Sequence, residues 1–515
     1  MNEAIQQLNG TLSLIAPDAV LLAAVCIIFF IAPFLVNDKG EAPVGLRHRW
    51  GFFSLLTLVI AGCVWWQCPP VPRTLGMFAL DELTWYIRGL TLASGVVLVL
   101  LHWNQADDAR SAESHACLLA ILAGVNLIAA ANDLIGLFVA LELVSIPTYL
   151  FLLLPRRDAP AQEAMLKYFL LSIFSSAIVL FGMSYLYGAT GTTSLAGIHA
   201  AFAATHGQAA NPLVAVATVM LIAGLGFRLT AVPFHFYAPD VFQGAPTSGA
   251  AMLSLVPKIA GFVALLRLMV PATGAEQAMT SWTMTPAAAP LLWWLAVATM
   301  FVGNLMALMQ TDIRRLLAYS SVSHAGYMLV GLIVGLEHEI QKDVLNHPVV
   351  HSVSGIGAML FYLAVYGAMT LGAFAVLIAA GRKDKRIETL DDLSGLSRNR
   401  PALALVLAIF LFSLAGLPPT AGFLGKLNLF FAAWSQGYES SRWLAVILAI
   451  NAALGAWYYL KVIGVMFLRE PIDRSEQPAF TETPSLIAAG ICLAGTLGLF
   501  FMPGWLWVPI QSIMP

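Results

Sequence analysis

The sequence predicts an all-α polytopic membrane protein, and three observations carry that prediction. Only 10% of its 515 residues are charged, against roughly 25% in a typical soluble domain. Hydrophobic residues make up 59% of the chain, and mean hydropathy is +0.81. The apolar residues gather in runs of about 20, the length that crosses ~30 Å of hydrocarbon at helical rise. A span in lipid must satisfy its own backbone, so the runs are helices. Lys and Arg number 26 against 28 Asp and Glu, which leaves no global field to attract nucleic acid. The five cysteines, Cys26, Cys63, Cys68, Cys117 and Cys492, form no CxxC pair and stand apart from any histidine cluster. No disulfide framework, zinc site or iron–sulfur cluster is expected.

Apolar stretches between charged or Pro/Gly breaks lie near 14–36, 50–67, 83–103, 114–131, 133–154, 163–188 and 213–235. A second series follows at 247–270, 287–309, 313–335, 352–381, 401–434, 441–468 and 482–508, giving fourteen spans. The first run is too long for a signal-peptide core and has no basic flank before it, so it is expected to remain in the chain. Sixteen Lys and Arg, from Lys39 to Arg474, fall in loops after odd-numbered spans, whereas the even-numbered loops hold only Arg73, Lys342 and Arg442. Basic loops stay in the cytoplasm, which puts both termini on the opposite, periplasmic side. The polar segment 382–400 is expected to be a helix lying along the cytoplasmic surface. No stretch is long enough for a soluble catalytic domain, so the chemistry belongs inside the bilayer.

Five ionisable groups fall deep in the spans: Glu142, Arg228, Lys258, Lys426 and, nearer an end, Lys461. Each costs ~2.5 to 3.5 kcal/mol at a helix centre, so their retention points to an ion or proton path. Arg228 precedes Pro233 and Pro239 in GLGFRLTAVPFHFYAPDVFQGAP, and Lys426 follows Pro418 and Pro419 in SLAGLPPTAGFLGK. Prolines so placed remove amide donors and break spans 7 and 12, and paired broken helices are a pointer to an ion site. Lys258 follows Pro257 at mid-span, too deep to snorkel. Arg228 holds its charge and so biases neighbours rather than carrying protons.

Softer groups accompany these charges. Ser320 and His324 stand four apart on one face of span 10, where a hydroxyl and an imidazole can pass protons. Tyr362 and Tyr366 share a face of span 11, and Ser172, Ser175 and Ser176 cluster in span 6. Small hydroxyl residues also glue membrane helices together. Lys461 can snorkel, and His235 at the Pro233 break can tie down loose backbone.

The block GLGFRLTAVPFHFYAPDVFQGAPTSGAAMLSLVPKIA, with ALELVSIPTYLFLLLP, EAMLKYFLLSIFSSAIVLFGMSYLYGATG, RRLLAYSSVSHAGYML and FSLAGLPPTAGFLGK, closely resembles the subunit N family of respiratory complex I. The likeness covers essentially residues 10–510. It implies about fourteen transmembrane helices in the membrane arm of a proton-translocating NADH:quinone oxidoreductase, with two inverted five-helix repeats, each containing one broken helix. The corresponding division is an N-terminal three-helix segment 1–112, repeats 113–270 and 271–470, and a C-terminal helix 471–515. The family's span-5 carboxylate matches Glu142, its central lysine Lys258 and its outlet lysine Lys426. Where the family usually has lysine in span 7 this chain has Arg228, which fits a fixed cation better than a proton carrier.

The resemblance further implies a relay of Glu142, Arg228, Lys258, His324 and Lys426, in the bacterial cytoplasmic (inner) membrane. Neighbouring membrane-arm subunits of the H, A, J, K, M and L type are the expected partners, with the redox arm reached through them. No cofactor is expected on this chain; NADH, FMN, iron–sulfur clusters and quinone belong to other subunits. Two other readings stand beside this one: a subunit of an Mrp-type cation/proton antiporter, and a non-conducting scaffold of the membrane arm.

Overall fold

The computed structural model describes residues 14–37, 41–70, 73–204, 212–270, 284–345, 354–381, 387–435, 438–471 and 482–513. Among the described residues, 13 helices are long and apolar enough to cross a membrane. Spans 1 to 7 are Ala16–Leu35, Leu46–Gln67, Glu82–His102, Asp108–Ala130, Leu134–Leu153, Ala159–Thr190 and Pro212–Leu229. Spans 8 to 11 are Thr247–Met269, Ala288–Leu308, Ile313–Leu336 and Gly355–Ala380, and spans 13 and 14 are Glu439–Leu468 and Thr483–Phe501. Span 12 is made of two 15-residue helices, Pro401–Ala415 and Ala421–Ser435. Neither half alone covers ~30 Å, but together they do. The fourteen expected spans are therefore all present, one of them in two pieces.

The spans form an inner set and an outer set. Every residue of span 8 is buried, and span 11 is buried along nearly its whole length. Such helices show no side to lipid because other helices ring them. Spans 1, 6, 13 and 14 expose Phe30, Phe174, Trp457 and Phe501, the side chains hydrocarbon accepts. Close approach relies on small residues: a Cβ on Gly303 of span 9 would lie 2.6 Å from the Ser323 amide nitrogen of span 10.

Both proline-rich spans break where the sequence predicts. Span 7 stops at Leu229, and Thr230 enters the left-handed region at φ 57°, which costs a β-branched residue ~1 to 3 kcal/mol. Turns over 231–237 lead into a short helix, Ala238–Gly244. The loosened backbone is tied down by Tyr237, whose Oη donates to the Phe227 carbonyl at 2.9 Å, and by Thr299, whose Oγ1 accepts from the Val232 amide at 3.0 Å. In span 12 the chain turns at Gly416, φ 84°, passes Pro418 and Pro419, and resumes at Ala421.

Three features depart from the sequence reading. Residues 387–400 are not a surface helix. They contain one 3-10 turn, Asp391–Leu393, and a four-residue helix, Leu396–Asn399, separated at Gly395 by a φ of 68°. The segment is held extended beside the start of span 10, where the Ile313 amide donates to Glu388 O and the Leu390 amide to Thr311 O, both at 2.9 Å. Residues 382–386 of that connection lie outside the described residues. A small hairpin, Arg73–Leu75 with Phe78–Leu80, and a helix, Leu195–Ala204, also join spans without having been expected.

The third departure is a pair of buried ion pairs near span ends, which the expected set of deep charges omitted. Arg88 of span 3 bonds Asp18 of span 1 at 2.5 Å, with both side chains almost fully buried. Arg267 of span 8 grips Asp81 at 2.5 and 2.7 Å and donates to the Ala129 carbonyl of span 4 at 2.7 Å. Nearness to a span end does not give a charge access to water when other elements cover that end. Burial pulls the Asp81 carboxyl up, but Arg267 and the Thr84 amide outweigh it and hold the group below its ordinary range. Removing one member strands the other, at ~3 to 5 kcal/mol. Arg267→Ala is therefore expected to lower the thermal-unfolding midpoint of the detergent-solubilised protein, with the Arg267→Met, Asp81→Leu double variant recovering part of the loss.

Candidate functional site

Polar side chains follow one another across the middle of the bundle. At one end, span 5 presents Glu142 and Ser145, three apart and thus on one face. Ser176 of span 6 donates to Glu142 Oε1 at 2.5 Å, and Arg228, in the last turn of span 7, donates to Ser145 Oγ at 2.8 Å. The Arg228 guanidinium lies 3.6 Å from the same Glu142 oxygen. That exceeds the ~2.7 to 2.9 Å of a charge-assisted hydrogen bond, so the charges attract while the serine hydroxyls take the directional bonds. Arg228 is 3% exposed and the Glu142 side chain 25%, which leaves the carboxylate on the rim of the cluster. The three span-6 serines divide their roles: Ser176 binds the carboxylate, Ser172 accepts from Tyr149, and Ser175 donates to the Gly224 carbonyl.

Lys258 occupies the centre of span 8 and is wholly buried. Its Nζ donates to Ser321 Oγ of span 10 at 2.5 Å, and Tyr366 of span 11 donates to the same hydroxyl at 2.8 Å. Among the described residues no carboxylate pairs with it. Arg228 makes no bond to Lys258, but their helices touch nearby: a Cβ on Gly261 would lie 3.4 Å from Arg228 Cβ.

His324 sits deeper in span 10, 1% exposed, with a phenol on each ring nitrogen. Nδ1 meets Tyr362 Oη at 2.6 Å and Nε2 meets Tyr459 Oη at 3.0 Å. Tyr459 Oη also bonds Ser320 Oγ, so Ser320 and His324 share a face as expected and a third residue from span 13 bridges them. Tyr366 joins the group through its ring, 5.1 Å from that of His324.

Lys426, five residues after the break in span 12, turns back onto it. Its Nζ donates to the Leu414 and Ala415 carbonyls at 2.8 and 2.9 Å, the acceptors that the broken helix leaves free. Its charge lies 5.1 Å from the centre of the Tyr327 ring, within cation–π range. Lys461 is instead exposed on span 13. His235 is half-buried at the span-7 break, its ring 6.4 Å from that of Tyr319.

A further group escaped the sequence reading. Asn304 of span 9 donates to Tyr327 Oη at 3.0 Å and to Asn451 Oδ1 of span 13 at 3.1 Å, and accepts from Tyr458 Oη at 3.2 Å. The available signal was polarity rather than charge, since an amide or phenol in mid-span also needs a partner. Asn304, Asn451 and the Tyr458–Tyr459 pair all stand in otherwise apolar runs.

Comparison with known proteins places this geometry. Residues 131–455 match the family model described as NADH:quinone oxidoreductase/Mrp antiporter, TM. NADH-quinone oxidoreductase subunit N 1 of Solibacter usitatus is 36% identical over 494 residues, covering 95% of this chain and 94% of that protein. The chain belongs to the subunit N family of NADH-quinone oxidoreductases. The subunit N of Trichlorobacter lovleyi is 40% identical, covering 79% of this chain and 78% of its own. Among solved structures, a chain of respiratory complex I from Thermus thermophilus superposes with a TM-score of 0.74 at 29% identity, covering 96% of this chain and 98% of that one. As a subunit N, the chain is a multi-pass membrane component of an enzyme complex.

The bonds from Lys426 to the broken helix yield a test. Lys426→Met strands two buried carbonyls, each at ~1 to 3 kcal/mol. Amide hydrogen exchange at Gly416 and Leu417, whose amides bond the Phe412 carbonyl, is expected to quicken by about tenfold or more, while exchange in span 8 stays unchanged.

Proposed function

We propose that this subunit N moves protons through the membrane arm of NADH:quinone oxidoreductase, driven by quinone reduction elsewhere in the complex. Glu142, Arg228, Lys258, His324 and Lys426 form the relay, with Arg228 as a fixed cation. The observation that carries this reading is the surroundings of Lys258. A buried lysine whose partners are hydroxyls rather than a carboxylate has no permanent counter-ion to hold it charged. Ser321 Oγ accepts from an ammonium and, after rotation, donates to a neutral amine, so both states find a partner.

The looseness of the Glu142–Arg228 contact supports a switching role. Two unit charges about 4 Å apart interact by roughly 4 kcal/mol at an effective dielectric near 20. A small separation of the pair therefore changes the field that neighbouring groups feel. With Arg228 neutralised by Glu142, a proton on Lys258 meets less repulsion; with the pair apart, Lys258 is driven towards its neutral form. The proton then moves by His324 to Lys426 and leaves near the outer end of span 12.

Subunits of the H, A, J, K, M and L type are the neighbours in this reading, and they link the chain to the hydrophilic arm. NADH, FMN, iron–sulfur clusters and quinone are bound by other subunits. The division into 1–112, 113–270, 271–470 and 471–515 gives the two relay halves. The membrane is the bacterial inner membrane, and the excess of Arg in loops after odd-numbered spans puts both termini on the periplasmic side.

The test is proton pumping per NADH oxidised in inverted membrane vesicles carrying the assembled complex. Glu142→Gln and Lys258→Met are each expected to reduce pumping by about tenfold or more, and Arg228→Lys to retain it. Unchanged pumping in both neutralised variants would make the chain a scaffold.

A further inference from the structure

Tyr366 of span 11 is wholly buried, yet it has no part in the relay. Its Oη donates to Ser321 Oγ at 2.8 Å, the same oxygen that accepts from Lys258 Nζ at 2.5 Å. Among the described residues the Ser321 hydroxyl has one further polar contact, the Ser254 carbonyl of span 8, at 3.5 Å. The Ser254 hydroxyl is itself turned away, to the Ala251 carbonyl at 2.6 Å. One turn farther along span 11, Thr370 Oγ1 is buried without a hydrogen bond of its own and close enough to serve the Tyr366 phenol as a second acceptor. Spans 8 and 11 meet tightly at this level: a Cβ on Gly367 would lie 3.0 Å from Leu255 Cδ2.

From this geometry we infer that Tyr366 is a positioning residue for Lys258 that acts through Ser321: its phenol supports the neutral amine while bonded to Ser321 and yields the serine oxygen to the ammonium when it turns to Thr370. The inference deepens the relay reading and rests on it.

A serine oxygen has two lone pairs and one hydrogen. When Lys258 is charged, the ammonium takes one lone pair and the phenol the other, and the Ser321 hydrogen is left with a carbonyl 3.5 Å away, at the outer limit of a bond. When Lys258 is neutral, that hydrogen turns to the amine lone pair. Tyr366, Ser321 and Lys258 then form a head-to-tail run in which each bond polarises the next. The phenol on Ser321 therefore helps the amine and competes with the ammonium; turned to Thr370, it does neither. Tyr366 keeps its hydrogen in both positions, so it biases the lysine without carrying a proton. The charged and titratable neighbours around Lys258 are Arg228, backed by Glu142 on the rim, and His324 with Tyr362, while Asp81 and His102 lie at the ends of span 8. Substitutions at Tyr366, Thr370 and Ser321 leave all of these in place.

The experiment is pumping per NADH oxidised, measured against pH in inverted vesicles carrying the complex, for Tyr366→Phe, Thr370→Val, Ser321→Ala, Ser321→Thr and Lys258→Met. Assembly is checked by copurification of the variant chain with the complex. Tyr366→Phe keeps the ring and removes the competing donor, so its pumping profile is expected to move to higher pH by about half a unit to one unit. Thr370→Val confines the phenol to Ser321 and is expected to move the profile to lower pH by about half a unit. Ser321→Ala takes away the partner of the ammonium and is expected to lower pumping by about tenfold, with Ser321→Thr restoring it. A loss of packing alone lowers pumping alike at every pH, so two opposed shifts are the mark of the hydroxyl network. With Lys258→Met impaired, a Tyr366→Phe profile that stays in place or moves to lower pH overturns the inference. An unmoved Thr370→Val profile overturns it as well, and that variant decides alone should Tyr366→Phe fail to assemble. Normal pumping in Lys258→Met overturns the relay reading itself.

Discussion

Hydrocarbon supplies no hydrogen bonds, and the rest of this structure depends on that constraint. A group that cannot be solvated by lipid must be solvated by the protein. Three helices that carry such groups are accordingly the most enclosed: span 8 with Lys258, span 10 with His324 and span 11 with two tyrosines. Outer helices face lipid with apolar side chains and shield the inner ones. The same constraint governs the backbone, because each broken span frees carbonyls that something must bond. Tyr237 serves the span-7 break and Lys426 the span-12 break, so two interruptions of regular structure become two places where a polar side chain has reason to sit.

Most of the fold was legible in the sequence because bilayer thickness sets a fixed length for each apolar run. The breaks were legible because Pro233, Pro239, Pro418 and Pro419 lack the amide that a continuing helix uses. What the membrane does not dictate was harder to see. Strands of three residues carry almost no periodic signal, and the 387–400 connection takes its shape from bonds to the start of span 10 rather than from its own pattern. The Asp18–Arg88 and Asp81–Arg267 pairs looked solvated because a linear count of residues measures distance from a span end, not cover over that end.

The candidate site was half legible for a similar reason. Charge is conspicuous in an apolar run, so Glu142, Arg228, Lys258 and Lys426 stand out, and the four-residue spacing of Ser320 and His324 reveals a shared face. Which residue meets which depends on how fourteen helices rotate against one another, and single-span periodicity does not contain that information. Tyr459 reaches Ser320 across 139 positions of sequence, and Asn304 reaches Asn451 across 147. Neutral hydroxyls and amides also blend into apolar runs more readily than charges, although in mid-span they too need a partner.

The grip of Lys426 on the end of a half-helix gives its nitrogen two duties. An ammonium has three hydrogens and a full charge, suited to two carbonyls and to the face of an aromatic ring; a neutral amine has two hydrogens and a lone pair that the ring repels. Whatever alters the occupancy of this one atom also alters the tension in the elbow between Ala415 and Ala421. Charge and strut meet in one nitrogen, so an electrical change there would also be a mechanical one.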